Sequence, residues 1–389
     1  MDFTNKNILL IMHQASLGGA ERQGLSLGKI FTEKYGCKVY LLLTFSEKTS
    51  AEFDDYASKC HIKETFFFGE PYIVLKREWS YKNLKRLVWS IKYLLRLRNG
   101  LKSYKIDLIF PYLNFPSKIA FYLYKLLPTA KFAFWHQLGL DTFKDDIFEN
   151  YSAKNVPCII ANAPTGVDLF QKAHPKSKRP LYVLPQFLAI DYVIKPKAEL
   201  SNAYGIPPDR VVIGMVAHYR LDKLHGLLLN VFGELLKENN AIQLVLLGNK
   251  RTNKVTEMKF QQLKDTISAK NINEHVCLLS EKPVEDVLNI IDIGVLVSEI
   301  EGTPNAVMEY MAYGLPVVAT NHPGCKLLLQ DSNFLIENQE EDLAEVLKML
   351  IKSSELRKSE GEKNKELIKK RNPEAYLNQL SSIIDEFYE

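Results

Sequence analysis

Short apolar runs rich in β-branched residues alternate with helix-patterned stretches along this 389-residue chain, and the alternation happens twice. The first series is 7–13 (NILLIMH), 38–44 (KVYLLLT), 106–113 (IDLIFPYL), 131–136 (KFAFWH) and 157–163 (PCIIANA). The second is 211–217 (VVIGMVA), 242–248 (IQLVLLG), 275–280 (HVCLLS), 292–298 (DIGVLVS) and 315–320 (LPVVAT). Strands separated by helices re-enter a sheet in the same direction, so each series predicts a parallel, doubly wound sheet. Between them, 174–197 carries Pro175, Pro180, Pro185 and Pro196 and reads as a linker. The expected fold is therefore α/β, two Rossmann-like doubly wound domains facing a cleft. The N-terminal domain takes 1–190 and the C-terminal domain 191–371; a last helix, 372–389, opens at Asn372-Pro373 and is expected to pack back on the N-terminal domain. Ligands of such sheets bind beyond the carboxyl ends of the strands, so the loops there are where chemistry is sought.

Composition narrows the class further. With 46% hydrophobic and 25% charged residues the chain is that of a folded globular protein. No uncharged apolar run approaches the roughly 20 residues of a membrane helix, and the start MDFTNKNILLIMH lacks the marks of a signal peptide. A cytoplasmic chain is expected. Cys37, Cys60, Cys158, Cys277 and Cys325 are scattered without CxxC spacing, which indicates neither a disulfide framework nor a zinc site. Asp54-Asp55 and Asp145-Asp146 read as surface acids rather than metal ligands. The net charge of +4 divides unevenly, with +11 up to residue 190 and −7 after it. A basic half suits an anionic partner.

Three loops and one histidine stand out. Gly18-Gly19-Ala20-Glu21-Arg22-Gln23 follows the first strand and opens a helix, where two glycines allow close approach and the helix start offers N–H groups to a phosphate. A merely tight turn would use the same glycines. Glu301-Gly302-Thr303-Pro304-Asn305-Ala306-Val307-Met308-Glu309 lies between two strands of the second series. Pro304 suits a first helical turn, leaving the amides of Thr303, Asn305 and Ala306 for an anion. Glu309 sits in the apolar helix AVMEYMA and needs a partner such as the hydroxyls of a ribose; Glu301 stands where it could meet a reacting sugar. Both acids could also simply complement the helix dipole. In His218-Tyr-Arg220-Leu-Asp-Lys223-Leu-His225-Gly226, Arg220 and Lys223 could hold a diphosphate, or be ordinary loop charges. His136, in WHQLGLD, is a further site candidate or a core histidine.

Together these stretches resemble glycosyltransferase family 4, the retaining nucleotide-sugar transferases of the GT-B fold. GGAERQ, the basic loop and above all E-x7-E followed by YMAYGLPVVATNHPG carry the likeness over nearly the whole chain. The resemblance implies that Glu301 lies beside the donor sugar, Glu309 accepts from the ribose, and Arg220 and Lys223 hold the diphosphate. It places Gly18 and Gly19 along the cleft and His136 toward the sugar or acceptor. Thr303, Pro304, Asn305, Ala306 and His225 complete the donor-binding set.

Two departures accompany the likeness. The family's basic pair is usually five residues apart, whereas Arg220 and Lys223 are three apart and His225 holds the fifth position, as in a loop shortened by two. The family's Pro-Asn-Gly-Val/Ile-Asp is here Pro185-Gln186-Phe187-Leu188-Ala189-Ile190-Asp191. The implied activity is a retaining, hexosyltransferase-type reaction on a UDP- or GDP-sugar that needs no metal or other cofactor. The expected acceptor is a saccharide, lipid-linked, in bacterial-type cell-surface polysaccharide synthesis, and no nucleic acid is involved. A non-catalytic nucleotide-sugar-binding subunit and a nucleotide-sugar epimerase remain the alternatives.

One stretch lies outside these motifs. Residues 76–105 hold ten Lys/Arg and one acid. Leu84, Leu87, Val88, Ile91, Leu94 and Leu95 follow helical spacing, with Lys85, Arg86, Lys92 and Arg96 on other faces and Trp79 and Trp89 near the ends. Such a helix could lie peripherally on an anionic membrane surface, or cover a sheet with its charges toward water.

Overall fold

The computed structural model describes all residues except 16, 71–72, 140–142, 191, 250–253 and 389. Asp191, the end of the altered linker motif, lies outside the described residues. The chain divides into two compact units, Met1–Ala189 with Pro373–Glu389, and Ile190–Asn372.

The first unit contains β1 (Asn7–Met12), β2 (Lys38–Leu43), β3 (Glu64–Phe67), β4 (Leu108–Pro111), β5 (Phe132–Ala133), β6 (Trp135–Gln137), β7 (Ile159–Ala161) and β8 (Leu181–Val183). They form a five-stranded sheet, β3-β2-β1-β4-β5, and a separate three-stranded sheet, β6-β7-β8; every pairing is parallel. Two corrections to the sequence reading follow. The apolar run 131–136 is not one strand, because the chain changes sheets at Phe134 and Trp135 donates to the Cys158 carbonyl instead. The proline-rich 174–197 is not purely a linker, since β8 pairs inside it. Both faces of the main sheet are covered. Phe31, Leu10, Phe110 and Phe134 pack on one side together with Leu377, Leu380, Ile383 and Ile384 of the final helix, Pro373–Tyr388. Leu9, Ile109, Leu97 and Leu101 pack on the other.

Asp146 is a third correction, since it is no surface acid. It caps the helix Ile147–Asn155 and accepts at 2.7 Å from the fully buried Lys118, whose ammonium also reaches the Ile73 carbonyl.

The second unit contains β9 (Val211–Val216), β10 (Ile242–Leu247), β11 (Val276–Leu279), β12 (Ile293–Leu296), β13 (Val317–Thr320) and β14 (Leu335–Ile336), in the order β11-β10-β9-β12-β13-β14. The strand order reverses between β9 and β12, the switch point where open α/β sheets bind ligands. The chain is anchored as it enters: Val193 donates to the Tyr313 hydroxyl at 3.3 Å, and Asn289 donates to the Val193 carbonyl and accepts from the Lys195 amide.

Candidate active site

The loops that follow β9 and β12 are zipped to each other. The Leu224 amide donates to the Val297 carbonyl at 3.0 Å and the Glu299 amide to the Asp222 carbonyl at 2.8 Å, around an antiparallel bridge between Lys223 and Ser298. This pairing carries Lys223 to Glu301, where ammonium and carboxylate form an ion pair with side chains only 14% and 9% exposed. Arg220 stays more open; its Nε donates to Asp222 Oδ1 at 2.8 Å. Nothing in the sequence pattern singles out Asp222, which holds the arginine and lies 4.0 Å from Lys223.

His225 departs from its expected role. It is fully buried at the start of the helix His225–Glu238, with Nδ1 3.2 Å from the Lys223 carbonyl and Nε2 3.3 Å from that of Ala217. Burial pushes its pKa down to about 4, against the pull of those carbonyls, so at neutral pH the ring has one N–H and donates to only one of them. It braces the basic loop from below instead of meeting a donor. The neighbouring Tyr219, also buried, hydrogen-bonds through its hydroxyl to the carbonyls of Leu246 and Leu279 and holds the same loop to β10 and β11.

Beyond Glu301, Thr303 is buried and Pro304 caps the helix Asn305–Ala312, so the amides of Asn305 and Ala306 lie in its first turn. Glu309 is buried one turn further on, the only acid of that helix. Tyr310 fixes the helix in place: its hydroxyl accepts from the Val216 amide at 2.6 Å and donates to the Val295 carbonyl, tying β9 to β12. The ring passes over Gly294, where a Cβ would come within 2.5 Å of it. A second close approach lies at the loop, since a Cβ on Gly324 would overlap the Gly302 carbonyl oxygen. Thr320 Oγ accepts from the Ser298 amide and donates to Asn338, and both Asn338 and His322 reach the Ser298 carbonyl. A tyrosine in an apolar helix and a glycine in a strand read as core, which is why the sequence reading passed over Tyr310 and Gly294.

In the first unit, Gly18 caps the helix Gly19–Tyr35 after β1. The N–H groups expected to await a phosphate there are partly taken. Burial raises the Glu21 carboxyl to about 7, while backbone hydrogen bonds from Glu21 and Gly18 pull the other way. Glu21, the third residue of the helix, thus supplies one half of a capping box, while Gly18 has no side chain to supply the other. Gln23 faces elsewhere, its amide donating to the Phe187 carbonyl at 2.6 Å, while Ser26 and Tyr56 donate to that of Ala189. His136 is buried at the middle of β6, its Nδ1 accepting from the Leu113 amide at 3.2 Å. Burial lowers its pKa to about 4 and that bond leaves the proton on Nε2. Leu113 has φ +83°, a conformation that leucine adopts only under constraint. Gly18, Gly19 and His136 thus belong to one unit, and the remaining candidates to the other. Among the described residues no group of three or more His, Cys, Asp or Glu gathers as a metal site.

Residues 196–383 match the family model described as Glycosyl transferases group 1. The match takes in a little under half of the chain. A 159-residue stretch is 27% identical to the "Putative glycosyltransferase EpsF" of Bacillus subtilis (strain 168), and the match spans 39% of each chain. Solved structures extend the likeness to both units. Anabaena Alr3699/HepE in complex with UDP-glucose superposes with a TM-score of 0.78 at 15% identity, covering 98% of this chain and 99% of that one. The glycosyltransferase of Rickettsia africae ESF-5 gives 0.76 at 16% identity over 99% of both. The pneumococcal O-GlcNAc transferase GtfA, in complex with UDP and GlcNAc, gives 0.70 at 9% identity over 99% of both. The chain has the GT-B fold, and the zipped loops around Lys223 and Glu301 lie within the segment that matches the group 1 model.

Proposed function

We propose that this chain is a glycosyltransferase that moves a sugar from a UDP- or GDP-sugar to a saccharide acceptor with retention of configuration. The observation that carries the reading is the Lys223–Glu301 pair at the switch point of β9 and β12, beside a helix N-terminus and the buried Glu309. Arg220 and Lys223 supply the cations for a diphosphate, and the amides of Thr303, Asn305 and Ala306 add donors. Glu309 takes the ribose hydroxyls. Glu301 faces the sugar, and His225 positions the basic loop. UDP-glucose, and UDP with GlcNAc, in the complexes of similar folds support a nucleotide-sugar donor.

In the reaction the bond between the anomeric carbon and the diphosphate oxygen breaks as the acceptor hydroxyl bonds to that carbon from the same face. The hydroxyl proton passes to the departing diphosphate. Glu301 favours the developing sugar cation, while Arg220 and Lys223 favour the charge on the leaving group. These cations provide the charge stabilisation that a divalent ion gives in other transferases, so the reading includes no metal. The basic first unit, with Gly18, Gly19 and His136, is assigned the acceptor. Its charge of +11 suits a lipid-linked saccharide in cell-surface glycan synthesis on the cytoplasmic side.

A panel of nucleoside diphosphates and nucleotide-sugars tests the donor by the rise in melting temperature that a native-state ligand causes. The donor found is then incubated alone and with lipid-linked saccharides, and the anomeric configuration of any product is read by NMR. Transfer with retention is expected. Conversion of the donor sugar without acceptor would mean an epimerase, binding with no turnover a non-catalytic subunit, and an inverted product would refute retention.

A further inference from the structure

The helix Tyr81–Leu101 has an inverted first half. A helix that covers a sheet places its apolar side chains inward, and the second half does so with Tyr93, Leu94, Leu97 and Leu101. In the first half the buried positions are Asn83 and Ser90, with Leu87 half-buried beside them, while Leu84, Val88, Ile91 and Leu95 face water. These four stand at i, i+4, i+7 and i+11, one row along the helix. The sequence reading treated Leu84, Leu87, Val88, Ile91, Leu94 and Leu95 as a single stripe that either core or membrane would claim. The structure divides it, with Leu94 in the core, Leu87 half-buried, and Leu84, Val88, Ile91 and Leu95 outside.

The turn before the helix extends this face. Asn83 accepts from the Lys76 amide at 3.0 Å and donates to the carbonyls of Lys76 and Glu78 at 2.7 and 2.8 Å. Ser80 caps the helix through the Asn83 amide. Trp79 is thereby held at the outside of an ordered turn with its indole fully exposed (106%), and Trp89 is half exposed. Two indoles and an aliphatic row in water are a large apolar surface for a chain of this kind.

The charge around this face identifies its partner. Lys85, Lys92 and Arg96 each follow a residue of the aliphatic row and form the next row around the helix, and Lys82 is also exposed. Glu78, the one acid of residues 76–105, stands 3.6 Å from Arg86. A second copy of the same face would set these cations against each other. An anionic bilayer answers both features at once: lipid phosphates meet the cations, whose long stems let them reach up while aliphatic and indole groups enter the headgroup boundary.

We propose that the helix Tyr81–Leu101 and its preceding turn dock on an anionic lipid bilayer. Leu84, Val88, Ile91, Leu95 and the indoles of Trp79 and Trp89 enter the headgroup boundary, and Lys82, Lys85, Lys92 and Arg96 bind lipid phosphates. This goes beyond the transfer reading and does not depend on it.

The test is co-sedimentation of the full chain with vesicles of phosphatidylcholine alone and with about one third phosphatidylglycerol, at low and high salt. Binding is expected on the anionic vesicles only, weakened by salt. Because each basic side chain near such a surface contributes about fivefold in partitioning, Lys82, Lys85, Lys92 and Arg96 changed together to Gln should weaken binding by at least about tenfold. The chain has three tryptophans and Trp135 is buried, so a blue shift of indole emission on vesicle binding reports Trp79 and Trp89 directly and needs no variant. Equal binding to both vesicle types, binding to neither, or binding without an indole shift would overturn the proposal. So would a wild-type dimer that Leu84→Ser and Ile91→Ser dissolve, since a second copy would then cover the face. An unchanged melting temperature in each variant shows that the fold is intact. The thermal shift by nucleotide-sugars, measured without vesicles, reports the transfer reading separately.

Discussion

Lys223 and Glu301 lie 78 residues apart in sequence and meet as an ion pair, largely withdrawn from water, at the switch point of the second sheet. The contact is set by the backbone, because the loop after β9 is hydrogen-bonded along the segment that leads to Glu301. A diphosphate would therefore compete with Glu301 for the lysine. Glu301→Gln should free Lys223, so nucleoside diphosphate affinity is expected to hold or rise while kcat falls; Lys223→Met should lower both and destabilise the unit by roughly 3 kcal/mol, the cost of leaving a buried charge unpaired. Calorimetric titration and steady-state kinetics check this, and weaker diphosphate binding by Glu301→Gln would count against the competition.

Glu309 is a buried carboxylate one turn into an apolar helix, which the ribose reading explains. Glu309→Ala should weaken nucleoside diphosphate binding by about 1.5–3 kcal/mol, the range for hydrogen bonds to a charged group, and Glu309→Gln by less. Binding of the free base should not change. An Ala variant with wild-type affinity would remove Glu309 from the site.

Stability between about pH 4 and 7 should be shaped by groups whose shifts have opposite sign. His136, His174 and His225 are each lowered to about 4, first of all by burial. Unfolded, they take up protons below about 6.5 that the native state refuses, so stability is full above that pH and is lost toward 4, by at most about 3 kcal/mol per ring. Glu21, raised to about 7, works in reverse: its contribution is full below about 4.5 and is lost as pH rises through 7. Melting curves from pH 4 to 9 should rise up to about pH 6.5, where three histidines outweigh one carboxyl, and Glu21→Gln should raise the melting temperature at pH 8 more than at pH 5. A Glu21→Gln profile parallel to wild type would contradict the Glu21 contribution.

Gly324 has no room for a side chain against the Gly302 carbonyl. Gly324→Ala must move the loop that carries Glu301, at a cost of about 1–3 kcal/mol typical of overpacking, and is expected to reduce kcat more than Glu309→Ala does at saturating donor. Gly226→Ala, where a Cβ meets open space, serves as the control. Equal effects of the two glycine changes on turnover would mean that loop position does not matter.

Much of this arrangement is legible in the sequence because long apolar strands announce themselves. β1, β2, β9 and β10 are six-residue runs with almost every side chain buried, as central parallel strands require. The strands that escaped are short or polar at one end: β3 (ETFF), β8 (LYV, between prolines) and β14 (LI) have too few residues for a pattern to show. The break at Phe134 is invisible for another reason, since an apolar run records burial but not which sheet buries it. At the site, Lys223 and Glu301 stand out as charges in unusual places. His225 misled because a histidine after a basic loop looks the same whether it faces a ligand or the core. Asp222 and Tyr310 act through backbone geometry, which residue type alone does not reveal.

The anchoring of the crossover between the units has a use in building chimeras. Gln23, Ser26 and Tyr56 hold the chain to the first unit as far as Ala189, and Tyr313 and Asn289 hold it to the second from Val193. A hybrid that joins this first unit to the second unit of a related chain should therefore be spliced between Ala189 and Ile190, the boundary of the two units, ahead of Tyr192, whose ring packs on Tyr313. A single splice would still fail, because Pro373–Tyr388 contributes Leu377, Leu380 and Ile384 to the core of the first unit. The portable module is discontinuous, and its final helix has to travel with it.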